Sequence, residues 1–292
     1  MRRLFYFLTV LVIGITSYYS WFYLPVAAGS PFQKVEDSRL DEISGMVFSK
    51  RNKGLIWVHN DGIQKVKLFL IDTNGHTKAV FKGNKWTFDW EDMAIDPGSV
   101  DGKSYLYAAD IGDNFAWRDN IKVFRIPEPV IGDEQDLSGI ETIRLRYPDG
   151  KHDAEAVLID PLSKQLYIIS KREKQAGIYS ASLSFKDDGL VLLKKAGSLN
   201  LNPEGVKQKY LTAASISEDG LKVLLRSYSE IYYWDRRKGE KLEETLMREP
   251  LVIPYNVEFQ GEAIAISPDD KGFYTLSEGE HVPLNYQSIT SK

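Results

Sequence analysis

The chain has 292 residues, a formal net charge of −4 and no cysteine. This length accommodates one or two domains with a sizeable core. The negative balance disfavours nucleic acids and anionic membrane surfaces as partners. The absence of cysteine excludes disulfides, thiol catalysis and metal sites built on thiolates.

The N-terminus predicts export. Arg2 and Arg3 precede an apolar run over residues 4–24, and the small residues at 26–28 fit a signal-peptide cleavage site. The run is also long enough to span a bilayer, with its tyrosines and its tryptophan as an aromatic belt. Residues 1–30 are therefore expected to be a cleaved signal peptide or an uncleaved anchor, and the alternative is a core helix of a soluble protein. The first two place the remaining chain outside the cytoplasm, in the periplasm or at the cell surface, and we expect membrane contact only through this segment.

Five short sequences of one kind follow, roughly 45 to 65 residues apart. In each copy a Ser, Thr or Glu stands four residues before an apolar anchor, and a turn and an aromatic-rich strand come next. The copies are residues 44–48, 91–95, 155–159, 212–216 and 262–266. This spacing is typical of four-stranded propeller blades, so we predict an all-β chain with a single five-bladed β-propeller over residues 31–292.

The predicted strands complete these blades in chain order. A short strand over 33–38 comes first, and each repeat then supplies the first strand of a blade. The further strands are predicted at 55–59, 66–71 and 77–82, then 105–109, 121–126 and 141–146, then 166–170, 177–182 and 191–198, then 223–227, 231–235 and 242–253, and finally 273–277 and 283–289. Because the last blade lacks a fourth strand, we expect the N-terminal strand over 33–38 to close the ring.

The innermost strand of every propeller blade lines the central channel, so the leading residues of the five repeats are expected to meet on the axis. These predicted ring residues are Ser44, Glu91, Glu155, Thr212 and Glu262. Facing carboxylates repel each other unless a cation or a raised pKa relieves them. Donors that are all oxygen suit Ca²⁺ better than Zn²⁺ or Cu²⁺, and the four histidines form no HxH or HExxH pair. The alternative is a water-filled channel whose carboxylates bond to backbone amides and water.

Two family resemblances bear on this ring. The order Ser, Glu, Glu, Thr, Glu resembles the Ser, Glu, Glu, Ser, Glu set of the calcium-dependent apyrases, five-bladed propellers that bind Ca²⁺ on the axis and hydrolyse nucleoside diphosphates. The resemblance covers only the strand starts and implies that the ring residues are calcium ligands, with Thr212 in place of a serine. Over most of the chain, four motifs are similar to those of a bacterial family of exported propellers. They are Asp89-Trp-Glu-Asp-Met-Ala94, Asp110-Ile-Gly-Asp-Asn114, His152-Asp-Ala-Glu-Ala156 and Gly261-Glu-Ala-Ile264.

Loops that enter the first strands and leave the second strands share one face of a propeller, and here they carry both signs of charge. The ligand-binding candidates on this face are Lys171, Arg226, His59, Asp113 and Glu278. Since Arg holds phosphate through two hydrogen bonds while a metal ion neutralises the remaining charge, an anionic ligand is expected. The alternative is that Lys171 and Arg226 pair with carboxylates and hold adjacent blades in register.

Candidate proton-transfer groups lie beside the ring. Asp92, His152 and Asp153 are placed to act as general bases toward a water on the metal. For His152 a hydrogen bond within its loop is the alternative. The segment over 110–114 resembles part of a calcium loop, but without the full EF-hand pattern a tight turn stabilised by Asx side chains is expected.

These patterns lead to two hypotheses of different classes. The first is an exported Ca²⁺-dependent hydrolase of a small anionic phosphoester or lactone. The second is a non-catalytic envelope propeller with a structural ion and a protein partner, which exposed aromatics such as Trp86, Phe115 and Trp117 would favour if they formed one patch. We expect a monomer in both cases. The chain contains no GxSxG motif, which disfavours a serine hydrolase.

Overall fold

Five small antiparallel sheets surround one axis in a computed structural model that describes residues 33–96, 98, 101–202 and 204–289. The sheets are the predicted blades, so the five-bladed propeller with four strands per blade is confirmed. The predicted export segment over residues 1–30 lies outside the described residues. Within the described part of the chain, no helix combines the length and the apolar character needed to cross a bilayer.

In blades 1 and 2 the observed strands occur in the predicted order. Blade 1 consists of β2 (Ile43–Phe48), β3 (Leu55–Asn60), β4 (Lys65–Asp72) and β5 (Thr77–Trp86), and blade 2 consists of β6 (Trp90–Asp96), β7 (Tyr105–Asp110), β8 (Ile121–Pro127) and β9 (Glu141–Arg146). In both blades the strands pair in chain order from the axis outward.

Blade 3 departs from the prediction at its outer edge. It consists of β10 (Ala154–Asp160), β11 (Gln165–Ser170), β12 (Ala176–Ser182) and β14 (Lys194–Leu199). The single strand predicted over 191–198 is wrong, because a separate strand β13 (Leu190–Leu192) pairs in parallel with β9 of blade 2. The chain therefore crosses from one blade to the next before it returns as β14.

Blade 4 contains a helix where a strand was expected. It consists of β15 (Leu211–Ile216), β16 (Lys222–Ser227), β17 (Ile231–Asp235) and β18 (Leu251–Ile253), while the predicted strand over 242–253 begins instead as helix α1 (Leu242–Leu246). Leu242 and Leu246 are one helical turn apart and both pack in the core between blades 3 and 4. The Glu244 carboxylate accepts a hydrogen bond from the Lys241 backbone N–H, which stabilises the start of the helix.

Blade 5 joins the two ends of the described chain. It consists of β19 (Gly261–Ile266), β20 (Gly272–Ser277), β21 (Pro283–Ser288) and the short β1 (Gln33–Lys34). Gln33 pairs opposite Leu284, so the predicted closure of the ring by the N-terminal strand is confirmed. The closing strand is shorter than the predicted range over 33–38.

Among the described residues, the core is divided into five apolar clusters, each between two adjacent blades. Alternate residues of a strand point to opposite faces of its sheet, so each blade contributes to two clusters. In β3, for example, Trp57 packs toward blade 2, whereas Ile56 and Val58 pack toward blade 5. Both faces of the sheets are thus buried, which accounts for strands that are apolar at nearly every position.

Candidate metal and anion site

The five inner strands share one irregularity near their start. In each, the pairing with the second strand of the blade skips a single residue, which is the geometry of a β-bulge. The skipped residues are Ser44, Glu91, Glu155, Thr212 and Glu262. Bulges release a residue from the hydrogen-bonded ladder and redirect its side chain. The ring positions found from the repeats are therefore one structural position, repeated in all five blades.

The three glutamates of the ring converge. One carboxylate oxygen each of Glu91, Glu155 and Glu262 lies within 4.8 Å of the others, and all three side chains are buried. Glu91 also belongs to a second group of this kind with Asp61 and Asp89. The three glutamates were predicted from the repeats, and the structure adds Asp61 and Asp89 beside Glu91.

The two hydroxyl residues of the ring have another role. Ser44 Oγ donates to the backbone carbonyl of Glu91, and Thr212 Oγ1 donates to the backbone carbonyl of Gly261 at 2.9 Å. Each bond connects the inner strands of two adjacent blades. Neither residue lines the cavity below which the glutamates converge, so both hydroxyls have an observed role between strands.

A cavity of about 300 Å³ lies above the glutamates, and we call it the axial cavity. Its acidic lining residues outnumber the basic ones. The acidic residues are Asp61, Asp89, Glu91, Glu155, Glu262 and Glu278, and the basic residues are Lys171, Arg172 and Lys207. Asn114, Tyr210 and Tyr228 complete the lining. Because acidic side chains are in excess, the cavity favours a cation. An anion is expected to bind only next to a bound cation.

The electrostatics of the axial cavity reflect this excess of acid. Burial raises the pKa of Glu91 well above its ordinary value, and the charges of Glu155 and Asp61 raise it further. Burial, together with neighbouring carboxylates, also raises the pKa of Asp89 to about 6 and that of Glu278 to about 7. Without a cation, protons must therefore neutralise part of the cavity.

Gly112 allows two of these carboxylates to approach the backbone. A Cβ atom at this position would collide with Glu91 Oε1 and would lie 2.5 Å from Asp89 Cγ. The loop that holds Gly112 is the predicted tight turn, in which the Asp113 carboxylate accepts the backbone N–H groups of Trp117 and Arg118 at 2.8 and 2.9 Å. Asp113, a predicted ligand-binding residue, thus shapes the loop and does not line the cavity.

Lys171 connects two carboxylates of the ring. Its ammonium forms an ion pair with Glu155 Oε1 and lies 3.0 Å from the Tyr228 hydroxyl, which in turn donates to Glu262 Oε1 at 3.0 Å. Burial lowers the pKa of Lys171, but the charges and hydrogen bonds of Glu155 and Tyr228 together outweigh burial and raise the pKa overall. The other carboxylate oxygen, Glu155 Oε2, is buried and has no hydrogen-bond partner among the described residues.

Arg172 lines the cavity beside Lys171 and is held in place by Asp153. Arg172 pairs with Asp153 and donates to Asn114 Oδ1, while Asp153 Oδ1 accepts the Asp113 backbone N–H at 2.8 Å. Asp153, predicted as a general base, is therefore used in holding two loops together.

Arg226 lies in the interface between blades 4 and 5. It is fully buried, and its Nη1 donates to the carbonyls of Ala263 and Leu276 at 2.7 and 2.9 Å. Its Nη2 pairs with Glu258 at 2.6 Å. The structure thus places Arg226 in the role of holding blades in register, which was the alternative to anion binding.

Asp92 and His59 are also buried outside the cavity lining. The Asp92 carboxylate accepts the backbone N–H groups of Val157 at 2.9 Å and Ala214 at 3.2 Å, so it ties blade 2 to blades 3 and 4. His59 stacks on Trp90 with ring centroids 4.0 Å apart, and burial lowers its pKa to about 4. A neutral, packed imidazole is a structural element of the interface between blades 1 and 2.

His152 belongs to a separate polar cluster. Its ring nitrogens lie 2.5 Å from Glu173 Oε1 and 3.1 Å from Asp149 Oδ1, and Nε2 is 3.0 Å from the Tyr179 hydroxyl. It does not line the axial cavity. The predicted loop hydrogen bond therefore describes its contacts better than a role as general base at the axis.

A second set of equivalent positions, one in each blade, was not recognised from the sequence. The residue directly after each second strand is Asp61, Ile111, Lys171, Tyr228 or Glu278, and all except Ile111 line the axial cavity. Tyr228 was missed altogether, as were Tyr210 and Lys207. Alignment of the second strands by their last residue would have found Tyr228, because it occupies the same place in its blade as Lys171.

Comparison with known proteins adds no functional assignment. No family model matches the chain, and no curated protein matches it. Among solved structures, the chain is similar to Kuenenia stuttgartiensis hydrazine synthase, with 15% identity over 84% of this chain and 72% of that chain and a TM-score of 0.45. It is also similar to a chain of a nidogen/laminin complex, with 11% identity over 82% of this chain and 73% of that chain and a TM-score of 0.41. Sequence identities and TM-scores this low carry no argument about function.

Proposed function

We propose that this propeller binds one Ca²⁺ ion on its axis through Glu91, Glu155 and Glu262, and that the loaded cavity binds and hydrolyses a small anionic phosphoester or lactone. Glu155 Oε2 is the observation that carries the proposal. It is a buried carboxylate oxygen that no described donor contacts, and it lies beside two other buried carboxylates. Leaving such an oxygen unpaired costs free energy, which a bound cation would recover.

The donor set favours a hard cation over a water-filled channel. In such a channel the carboxylates would accept backbone N–H groups, as Asp61 does from Trp90 at 2.6 Å. Within the described chain, no backbone amide reaches the Glu91 or Glu155 carboxylate in this way. Carboxylates supplemented by water provide the roughly six to eight oxygen ligands that Ca²⁺ prefers.

The residues for hydrolysis differ from those predicted from the sequence. A calcium ion here would supply positive charge to the anion and to an attacking water. Glu278 lines the cavity as a carboxylate that can accept a proton from an attacking water. Burial and neighbouring carboxylates raise its pKa to about 7 in the cavity without an ion, and a bound cation would lower it. Arg172 and Lys207 line the same cavity and supply positive charge for the anion. Asp92, His152 and Asp153 have no place at the reacting atoms in this proposal.

Calorimetric titration tests the ion site. Chelator-treated wild-type protein should bind one Ca²⁺ per chain, and Glu155→Gln should abolish the binding. Glu218→Gln is the matched control, because Glu218 pairs with Lys50 and does not line the axial cavity. The control should bind Ca²⁺ as the wild type does. If Glu155→Gln binds Ca²⁺ as tightly as the control, the site is not where we propose it.

A substrate screen tests the reaction. Phosphoesters and lactones should be turned over by the wild type in the presence of Ca²⁺, and much more slowly after chelation or in Glu155→Gln. Glu278→Gln should lower the turnover while retaining the ion. If no compound is turned over faster by the wild type than by Glu155→Gln, the hydrolase part of the proposal is rejected.

One observation favours the second candidate, a non-catalytic propeller with a protein partner. Phe115 and Trp117 stack at a centroid distance of 4.8 Å and are 72% and 74% exposed, on the loop that also supplies Asn114 to the cavity. Trp86, the third predicted member of the patch, contacts Lys65 instead. This candidate predicts Ca²⁺ binding without turnover. It also predicts that the protein binds a protein partner and that Trp117→Ser abolishes this binding. Leu162→Ser changes an exposed leucine on another loop and should leave the binding intact.

A further inference from the structure

A lysine occupies the acidic cavity that we assign to the cation. The Lys171 side chain is only 5% exposed, and its ammonium contacts Glu155 directly and Glu262 through the Tyr228 hydroxyl. Two of the three carboxylates proposed as calcium ligands are therefore already neutralised in part by a positive charge that belongs to the chain.

We propose that Lys171 is an exchangeable internal counterion, an inference that rests on the calcium site proposed above. The entering Ca²⁺ takes over Glu155 and displaces the Lys171 ammonium, which then binds the anionic ligand. The cation and the anion consequently bind cooperatively, each raising the affinity for the other.

The ion and the ammonium compete for the same carboxylate. Glu155 has one oxygen paired with Lys171 and one that no described group contacts, so a Ca²⁺ ion on this carboxylate lies next to the ammonium. Two positive charges this close repel each other strongly at low dielectric. Lysine carries its charge on a flexible four-carbon stem, so the ammonium can move while the backbone stays in place. The Lys171 backbone N–H remains held by the Asp153 carbonyl at 2.9 Å.

The released ammonium has a use at the same wall of the cavity. Arg172 and Lys207 line the cavity with Lys171, and Arg172 is already held by Asp153 and Asn114. Before the ion binds, Glu155 neutralises Lys171 and the cavity is too acidic for an anion. Afterwards, Lys171 is a third positive side chain beside Arg172 and Lys207, and its ammonium is no longer paired with Glu155. Because coupling free energies are reciprocal, the anion must then raise the affinity for Ca²⁺ by the same factor.

The test uses Ca²⁺ titration with sulfate as the anionic probe, at an ionic strength held constant with sodium chloride. For the wild type we expect sulfate to raise the Ca²⁺ affinity about tenfold, which corresponds to about 1.4 kcal/mol of coupling. Lys171→Met should bind Ca²⁺ about tenfold more tightly than the wild type without sulfate, since the competing charge is gone. Its affinity should not change when sulfate is added.

Two further variants make the result interpretable. Lys171→Gln keeps a hydrogen-bond donor for Glu155 and Tyr228 without the charge, so it should behave like Lys171→Met even if the methionine disturbs folding. Lys195→Met removes a lysine that pairs with Asp149 outside the cavity, at 2.7 Å, and should keep the wild-type affinity and the sulfate response.

The outcomes separate this inference from the metal site. If the wild type binds Ca²⁺ but the Lys171 variants bind it no more tightly, or still respond to sulfate, Lys171 is not an exchangeable counterion and the metal site stands. If neither the wild type nor the Lys171 variants bind Ca²⁺, the metal site and the counterion are both rejected.

Discussion

Two buried carboxylates lie at opposite ends of strand β10, and their surroundings differ. Asp160 pairs with Arg236 through both oxygens at 2.7 and 3.1 Å, and it also accepts the Ser163 hydroxyl and the Leu162 backbone N–H. Glu155 has an ion pair on one oxygen and no described partner on the other. The satisfied carboxylate joins blades 3 and 4, whereas the unsatisfied one faces a cavity. The unpaired oxygen of Glu155, together with its place in the cavity lining, distinguishes this carboxylate from the structural contact of Asp160.

The largest expected effect comes from neutralising each of these carboxylates in turn. Asp160→Asn should lower the free energy of unfolding by about 3 kcal/mol, because it leaves Arg236 buried without its charge partner. Glu155→Gln should cost less in the absence of Ca²⁺, since it also removes repulsion among three carboxylates. Urea unfolding in chelator measures both. Equal losses would mean that Glu155 is as structural as Asp160.

Gly112→Ala should affect the cavity alone. The added Cβ displaces the Glu91 and Asp89 carboxylates, so we expect the Ca²⁺ affinity to fall at least about tenfold, or ~1.4 kcal/mol. Gly102→Ala is the control, because Gly102 has a positive φ of 77° but nothing within 4 Å of its added Cβ. This control should lower stability by about 1 kcal/mol without changing the Ca²⁺ affinity. An unchanged affinity in Gly112→Ala would show that Glu91 does not hold the ion.

Thr212→Val tests whether the hydroxyl residues of the ring bind the ion. It removes the bond to the Gly261 carbonyl and should cost about 1 kcal/mol of stability, with less than a threefold change in Ca²⁺ affinity. Ser44→Ala should behave in the same way through the lost bond to Glu91. A loss of Ca²⁺ binding as complete as that in Glu155→Gln would instead make these hydroxyls ligands, as the apyrase-like ring order implies.

The smallest expected effect is on the pH dependence of stability. The pKa values of Asp89 and Glu278 are raised from ordinary values of 3.8 and 4.5 to about 6 and about 7. These two carboxylates bind more protons in the folded protein than in the unfolded chain within this range, whereas the lowered pKa of His59 acts in the opposite sense. The two carboxylates should therefore make stability without Ca²⁺ fall as the pH rises from about 4 to about 7. Thermal unfolding in chelator measures this slope. Glu278→Gln should reduce it, and a slope that the variant leaves unchanged would contradict the assignment.

Much of the fold could be predicted from the sequence because the five repeats impose it. The repeated positions established the number of blades and the closing strand. The mispredicted strands are segments whose structure depends on contacts with residues distant in sequence. Leu190–Leu192 joins the edge of blade 2, and Leu242 and Leu246 bury one face of a helix between blades 3 and 4.

The site was predictable only in part, because some of its side chains are also oriented by residues distant in sequence. Glu91, Glu155 and Glu262 were found because the same position recurs in each blade. The directions of Ser44, Arg226 and Asp92 depend on which neighbouring carbonyls and amides lack partners, and a linear sequence does not contain that information. A short hydroxyl bonds to the nearest carbonyl, whereas a glutamate at the same bulge reaches into the cavity.

The most direct test of the axial site is a crystal structure of the protein grown with Ca²⁺. We predict one ion on the axis, roughly 2.3 to 2.6 Å from oxygens of Glu91, Glu155 and Glu262, with the Lys171 ammonium moved away from Glu155. A cavity that contains only water, with Lys171 still paired to Glu155 at saturating Ca²⁺, would contradict the account.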